Sequence, residues 1–208
     1  TSSDEMTGHF FGYYYYFKLA ADEARKERVR VLVAKIMDHI LDHGYTLTDI
    51  DGTPTRWGVW SPEKLQGDPD WRVEGKINSF ELLSYLKTAY AITGNQKYQD
   101  EYLKLIERHG YHETTRRPKA DGRSEWNHID DELLSLAAPG LLHNETDPQL
   151  LSIYREGLEW SYRMVENDQN ALFNFLFGAI GGKDFHLEET VAFLRDQPLD
   201  LVQWWIDN

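Results

Sequence analysis

The sequence predicts an all-α fold of stacked antiparallel helical hairpins that form an α/α toroid or an open half-toroid. A unit of helix, short polar loop and helix occurs three times along the 208 residues, and internal repetition of this kind is typical of repeat architectures. Each unit opens on a capping residue with a carboxylate close behind. We expect a single domain over residues 1–208, either complete in itself or part of a longer protein.

The first hairpin spans residues 2–43. Ser2 and Glu5 have the spacing of a capping box, in which the two side chains satisfy free N–H groups at a helix start. Apolar residues then recur at helical intervals on both arms, and Gly44 ends the second arm. These apolar positions are Met6, Phe10, Tyr13, Tyr14, Phe17, Val29, Leu32, Val33, Ile36 and Ile40.

The second hairpin spans residues 78–110, and the third spans residues 127–165. Asn78 and Glu81 repeat the spacing of the capping box at the start of the second. Pro148 suits the first turn of the last return helix. Pro139 followed by Gly140 predicts a kink or an early stop in the outgoing helix before it.

The segments outside the hairpins lack a long helical period. Residues 45–77 are rich in Gly, Pro, Asp and Trp, and Asp51 followed by Gly52 predicts turns or a short β-hairpin. A second long connection covers residues 111–126. Short apolar helices near residues 171–180 and 187–195, with a last amphipathic stretch, are expected to cap the helical stack.

Composition excludes several classes of function. Thirty-five acidic against 22 basic residues give a net charge of -13, which makes nucleic acid an improbable partner. No apolar run reaches the roughly 20 residues that cross a bilayer, and the absence of cysteine excludes disulfides and thiolate catalysis. The first residues already resemble a helix cap, so a processed precursor is expected, with a soluble periplasmic or secreted protein as its product.

Stacked hairpins direct all outgoing helices the same way, so their N-termini gather at one end of the molecule. Carboxylates are stabilised there by the helix dipole. Glycoside hydrolysis needs two carboxyl groups, and sugar rings stack on aromatic side chains such as the tryptophans of the connecting segments. The carboxylates expected at this rim are Asp4, Glu5, Glu81, Asp130, Asp131 and Glu132.

From this rim we predict catalytic and substrate-binding residues. Two groups form the catalytic candidates: a reactive cluster of His128, Asp130 and Asp131, and a second wall of Asp4, Glu5 and His9. The substrate-binding candidates are Trp57, Trp60, Trp71, Trp126, Arg116 and Arg117.

Simpler roles stay open for several of these residues. Capping alone can explain Glu5 and Glu81, and packing or capping can explain His9 and His128. His39 and His43 have the i, i+4 spacing of metal ligands, but they lie at a helix C-terminus without a third ligand. We predict neither a metal site nor a cofactor.

Particular segments resemble a known superfamily. Residues 93–98 (Thr-Gly-Asn-Gln-Lys-Tyr) and 2–9 (Ser-Ser-Asp-Glu-Met-Thr-Gly-His) resemble the six-hairpin glycosidases, which are (α/α)6 toroids. Residues 127–133 (Asn-His-Ile-Asp-Asp-Glu-Leu) and 198–202 (Pro-Leu-Asp-Leu-Val) resemble uncharacterised bacterial proteins of that type. The resemblance implies hydrolysis or elimination at glycosidic bonds, carried out by acidic, His or Tyr residues at the mouth of the inner helices.

The chain departs from that superfamily because it has three hairpins, and a closed ring needs six. It is therefore half of a larger protein, an open arc, or one copy of a homodimer that completes the ring.

The leading hypothesis is a carbohydrate-active protein, either a glycoside hydrolase or a polysaccharide lyase, that binds an oligo- or polysaccharide. The net charge opposes a uronate substrate, although arginines could reverse this locally. The alternative is a non-catalytic helical scaffold that binds a protein partner through residues 173–177 and Trp204 with Trp205. The arginines that could attract a uronate locally are Arg56, Arg72, Arg116, Arg117 and Arg123.

Overall fold

The computed structural model describes residues 2–71, 74–118 and 128–196, and it confirms the all-α class. Within these ranges the chain forms ten α-helices and one two-stranded sheet. In chain order the elements are α1 (Ser3–Leu19), α2 (Glu23–Asp42), β1 (Thr46–Thr48), β2 (Pro54–Val59), α3 (Pro62–Gly67), α4 (Gly75–Thr93), α5 (Gln96–His109), α6 (Tyr111–Thr114), α7 (His128–Leu142), α8 (Pro148–Val165), α9 (Ala171–Ala179) and α10 (Leu187–Asp196).

The three predicted hairpins are present as α1–α2, α4–α5 and α7–α8. The first opens as its sequence predicts. The Ser2 hydroxyl accepts a hydrogen bond from the Asp4 N–H group at 3.2 Å, and the Glu5 carboxylate accepts one from the Ser2 N–H group at 2.5 Å. This capping box satisfies donors that the first helical turn leaves free.

The second capping box, predicted at Asn78 and Glu81, is wrong. Helix α4 begins at Gly75, so both residues lie inside the helix. The Asn78 side-chain amide instead donates to the backbone carbonyls of Trp57 at 3.1 Å and Val59 at 2.8 Å. Tertiary partners on β2 have replaced the local pairing that the spacing suggested.

The predicted early stop at Pro139 does not occur, because α7 continues to Leu142. A proline this close to the helix end removes only one of the last intrahelical bonds. Gly140 allows α7 to pack closely against α4, because a Cβ atom there would lie 2.3 Å from Thr88 Oγ1 and 2.9 Å from Ser84 Oγ. The Pro-Gly pair therefore marks the close approach of α7 to α4.

Helix α4 lies at the centre of the fold, with 15 of its residues buried on all of its faces. It contacts α1 and α7, and α1 also contacts α7, so the three outgoing helices touch in every pair. The return helices pack outside them, with α2 and α5 against α4 and α8 against α7. A toroidal arrangement is not confirmed, because the outgoing helices form a mutually packed trio.

The predicted β-hairpin is present between α2 and α3. Strands β1 and β2 pair in antiparallel fashion, and the Asp49 N–H group donates to the Thr53 carbonyl across the turn at 2.8 Å. Gly52 supplies the positive φ of 84° that the turn requires. The hairpin contacts α1 and α2, and this contact fixes the position of Trp57 on β2.

The C-terminal helices α9 and α10 match the apolar segments of the sequence. Helix α9 packs on α7 and α8, and α10 packs on α9. Trp204 and Trp205 lie outside the described residues. None of the helices in the described part of the chain is long and apolar enough to cross a membrane.

Candidate active site

A cleft of about 200 Å³ lies where the N-terminal ends of α1 and α7 meet the start of α4. Its walls include two carboxylates from distant parts of the sequence, Asp4 on α1 and Asp130 on α7. The lining residues are Ser3, Asp4, Trp57, Glu74, Ile77, Asn78, Ile129, Asp130 and Leu133.

Asp4 and Asp130 each lie in the first turn of their helix. Negative charge is stabilised there by the dipole of the helix. Asp4 is exposed and Asp130 is half-buried. Because α1 and α7 pack side by side, two residues that are far apart in sequence line one cleft together with Trp57 of β2.

Asp131 does not join Asp130 in this cleft. Its side chain is 1% exposed and faces a separate space of about 20 Å³ between α7, α8 and α9, which is room for about one water molecule. Successive helical residues point about 100° apart, so two adjacent acids reach different sites. The predicted cluster of His128, Asp130 and Asp131 is therefore divided.

His128 lies with Asp131 rather than with the cleft. Its Nδ1 atom is 3.5 Å from Asp131 Oδ2, and its Nε2 atom is 3.8 Å from Asp168 Oδ2. The imidazole is 60% exposed and tilts over the ring of Phe173 at 6.4 Å. This arrangement holds a histidine between two carboxylates at the start of α7.

Glu5 and His9 are absent from the described lining of the cleft. The Glu5 carboxylate is engaged in the capping box, and the hydrogen bond from the Ser2 hydroxyl, with that from the Ser2 backbone, lowers its pKa. The exposed His9 imidazole stacks on Tyr13 with ring centroids 5.6 Å apart. Both have local partners, which is the simpler role that the sequence left open.

The four predicted tryptophans have different environments. Trp57 is 39% exposed and lines the cleft, and Trp71 contacts its ring edge-on at 6.2 Å. Trp60 is fully buried, so it offers no face to a ligand, and its predicted stacking role does not fit this structure. Trp126 lies outside the described residues.

The two arginines predicted to bind substrate, Arg116 and Arg117, lie away from the cleft, whereas the Arg56 guanidinium lies 4.5 Å from the ring centre of Trp57. Arg116 pairs with Glu113 at 2.7 Å and with Glu156 at 2.5 Å. The guanidinium of Arg117 lies 5.3 Å from the ring centre of Trp160. Both arginines therefore bind side chains where α6 meets α8.

Glu81 is a buried carboxyl group on α4. The Thr7 hydroxyl donates to its Oε1 atom at 3.0 Å, and the Trp60 indole N–H donates to its Oε2 atom at 2.9 Å. Burial, which the charges of Asp4 and Asp130 reinforce, raises the pKa of Glu81 to about 7. The sequence contains one signal of this: Glu81 is the one carboxylate of α4 and lies within its mainly apolar and small-residue stretch 79–86.

The two histidines near the end of α2 have local hydrogen-bond partners. The Thr48 N–H group donates to His39 Nε2 at 3.2 Å, and His43 Nδ1 lies 2.7 Å from the His39 carbonyl. Across residues 2–71, 74–118 and 128–196, no three or more His, Asp or Glu side chains converge to hold a metal ion.

No protein-family model matches this chain, and neither a curated protein nor a solved structure is similar enough to count as a match. The resemblance to the six-hairpin glycosidases stays a sequence-based prediction.

Proposed function

We propose that the protein is carbohydrate-active and that it hydrolyses a glycosidic bond in the cleft between α1 and α7. The observation that carries this proposal is the shared lining of the cleft by Asp4, Asp130 and Trp57. Glycoside hydrolysis uses one carboxyl group as general acid and another as base or nucleophile. The exposed ring of Trp57 supplies an apolar surface on which the C–H face of a sugar can stack.

The two carboxyl groups have different environments, which suggests different roles. Asp130 is half-buried, and we assign it the general acid that protonates the leaving-group oxygen. Asp4 is exposed to solvent, and we assign it the base or nucleophile. This assignment keeps Asp130 from the predicted reactive cluster and Asp4 from the predicted second wall, and it leaves out His128, Asp131, Glu5 and His9.

The charge of the cleft favours a neutral or amino sugar over a uronate. Its described lining contains three carboxylates, Asp4, Glu74 and Asp130, and the guanidinium of Arg56 lies beside it, 4.5 Å from the ring centre of Trp57. Three acids against this one arginine leave the surroundings of the cleft negative. A uronate would bring another negative charge to these carboxylates. The proposal is therefore a hydrolase of neutral or amino-sugar glycans, and the uronate lyase is the less favoured chemistry.

The size of the cleft limits how the substrate can bind. At about 200 Å³, it is smaller than typical small-molecule sites, which are about 300–1,000 Å³. We propose that one sugar unit enters the cleft and that the rest of an oligosaccharide lies across Trp57.

The test is a screen of the purified protein against neutral, amino-sugar and uronic oligosaccharides, with reducing-end release as the measurement. Asp130→Asn should lower kcat/KM on the active glycan by about 10²–10⁴-fold. Glu132→Gln is the matched control, since it removes the same charge from an exposed position on the same helix. An aryl glycoside with a good leaving group should restore much of the rate in Asp130→Asn, because that group leaves without protonation.

Two results would count against the proposal. One is silence on every glycan in the screen. The other is equal loss of activity in Asp130→Asn and Glu132→Gln, because the effect would then come from the net charge of α7 rather than from the cleft.

A second candidate function is a scaffold that binds a protein partner. The observation that favours it is a group of exposed apolar side chains on α9 and α10: Leu172 (40% exposed), Phe175 (37%), Phe193 (50%) and Leu194 (48%). Exposed apolar patches mark interaction surfaces. If Phe193→Ser disperses an assembly and Asp130→Asn changes no measurable activity, the scaffold is the better account.

A further inference from the structure

Glu81 connects three elements of the fold through one buried carboxyl group. It lies on α4, one helical turn after Asn78, which lines the cleft. Its two oxygens accept hydrogen bonds from Thr7 on α1 and from Trp60, the residue that follows β2. The proposed roles of the cleft residues leave this group without a use.

A chain of hydrogen bonds leads from Glu81 back to the cleft. Thr7 Oγ1 lies 2.5 Å from the Tyr85 hydroxyl, and the Tyr85 hydroxyl lies 3.3 Å from the Ser3 carbonyl oxygen. Ser3 and Asp4 both line the cleft. The order along the chain is therefore the Glu81 carboxyl, the Thr7 hydroxyl, the Tyr85 hydroxyl and the Ser3 carbonyl.

The protonation state of Glu81 sets which group donates each hydrogen bond in this series, because each hydroxyl group donates only one hydrogen bond. When Glu81 is ionised, Thr7 donates to the carboxylate and Tyr85 donates to Thr7. The Ser3 carbonyl then receives no hydrogen bond from Tyr85.

Protonation of Glu81 at Oε1 reverses each donor. The carboxyl group donates to Thr7, Thr7 donates to Tyr85, and Tyr85 is left to donate to the Ser3 carbonyl. The added proton comes from solvent, and no covalent bond between heavy atoms changes. The Trp60 indole donates to Oε2 in both states.

We propose that Glu81 is a positioning residue for the cleft, and that uptake of one proton reverses this chain and adds a hydrogen bond to the Ser3 carbonyl beside Asp4. The reversal itself requires no glycan. Its consequence for catalysis rests on the proposed function, because Asp4 is one of the two proposed catalytic carboxyl groups.

The charges around Glu81 place the reversal near neutral pH. Asp4 faces it from α1, Asp130 faces it from α7, and Tyr85 shares its helix. Burial and these two acidic neighbours favour the protonated carboxyl, so its pKa rises to about 7. Both directions of the chain are then populated in the physiological range.

The experiment is a ¹⁵N–¹H NMR titration from pH 5.5 to 8.5 of the full chain without ligand. The Trp60 indole N–H reports on Glu81 directly. The Asp4 amide shares a peptide plane with the Ser3 carbonyl, so its ¹⁵N shift reports the hydrogen bond to that carbonyl. In the wild type both signals should shift with one midpoint near pH 7.

Two variants separate the links of the chain. Tyr85→Phe removes the donor to Ser3 and keeps Thr7 and Trp60 on Glu81, so only the Trp60 signal should titrate. In Glu81→Gln neither signal should titrate. An Asp4 signal that still titrates in Tyr85→Phe would overturn the proposal, and Tyr85→Phe alone decides the point if Glu81→Gln fails to fold.

The catalytic consequence has its own measurement. The pH profile of kcat/KM on the glycan found in the screen should contain a limb near pH 7 that Tyr85→Phe abolishes. A wild-type limb unchanged in Tyr85→Phe would overturn the positioning role. A protein inactive on all glycans with the predicted NMR titration would reject the proposed function and leave the reversal of the chain established.

Discussion

At the scale of single residues, burial makes the ionisation of Glu81 costly in the folded protein. Its pKa rises from an ordinary value of 4.5 to about 7, whereas in the unfolded chain the group titrates as an ordinary carboxyl. The folded state therefore holds a proton that the unfolded state has released between these two pH values. Stability from Glu81 is complete below pH 4.5 and is lost as the pH rises through 7.

This sign gives a prediction for Glu81→Gln, which keeps the shape of the side chain and cannot ionise. The free energy of unfolding of the wild type relative to this variant should fall by about 3 kcal/mol between pH 4.5 and 8. Urea denaturation of both proteins at several pH values measures this difference. A difference that is constant with pH, or that grows as the pH rises, would contradict the account of Glu81.

The same residues show what sequence can predict at this scale. Ser2 with Glu5 and Asn78 with Glu81 have the same spacing, and only the first pair forms a capping box. The Ser2 and Glu5 side chains are engaged with each other and with the first turn of α1, so the local pattern decides the structure there. Asn78 has the carbonyls of Trp57 and Val59 within reach, and that contact depends on a β-hairpin whose position the spacing does not encode.

At the scale of elements, the packing of α4 against α7 depends on two small residues and one glycine. Ser84 Oγ donates to the Ala137 carbonyl at 2.6 Å, and Gly140 leaves no room for a Cβ atom beside Thr88. The close approach brings α7 to the trio of outgoing helices and so holds Asp130 at the cleft.

We predict that Gly140→Ala lowers the free energy of unfolding by about 2 kcal/mol, because the added methyl group overpacks this contact. Thr88→Ala in the same chain should recover part of the loss, since it removes the nearest atom. Gly12→Ala is the matched control: it lies in α1 with no atom within 4 Å of the new Cβ, so it should stabilise the protein by about 0.5–1 kcal/mol. Thermal or urea denaturation measures all four proteins, and equal effects of the two glycine replacements would contradict the proposed contact.

The existence and order of eight of the ten described helices could be predicted from periodicity, caps and breakers, whereas α3 and α6 lie in segments that were predicted as connections. Whether Pro139 ends helix α7 could not be predicted, because the number of helical hydrogen bonds that a proline removes depends on how far it lies from the end of the helix. The division of Asp130 from Asp131 needed the rotation of α7 about its axis, which is set by the contacts of Gly140 and Leu134 in the core and not by the acidic run itself.

At the scale of the whole molecule, the three outgoing helices α1, α4 and α7 pack on one another, and α2 and α5 also pack against α4. The hairpins therefore have partners within one chain, and a second copy is not needed to cover their inner faces. The sequence predicted hairpins but left their arrangement open, because the contact between α1 and α7 involves residues that are far apart in the sequence.

We predict that size-exclusion chromatography with light scattering gives the mass of one chain, 24.4 kDa. A stable particle of twice this mass would favour the homodimer considered from the sequence. Phe193→Ser is the variant to compare in that case, because Phe193 on α10 is half exposed, and its effect would decide whether the apolar surface of α9 and α10 holds the copies together.

The central claim is that acidic residues from α1 and α7 meet at one cleft, where both act on Glu81 of α4. The most direct test follows the Trp60 indole NMR signal, which reports the pKa of Glu81, in Asp4→Asn, Asp130→Asn and the control Glu132→Gln. Because Asp4 and Asp130 each raise the pKa of Glu81, we predict that each of the first two variants lowers its midpoint and that Glu132→Gln leaves it nearly unchanged. Equal midpoints in all four proteins would contradict the convergence of α1 and α7 at this site.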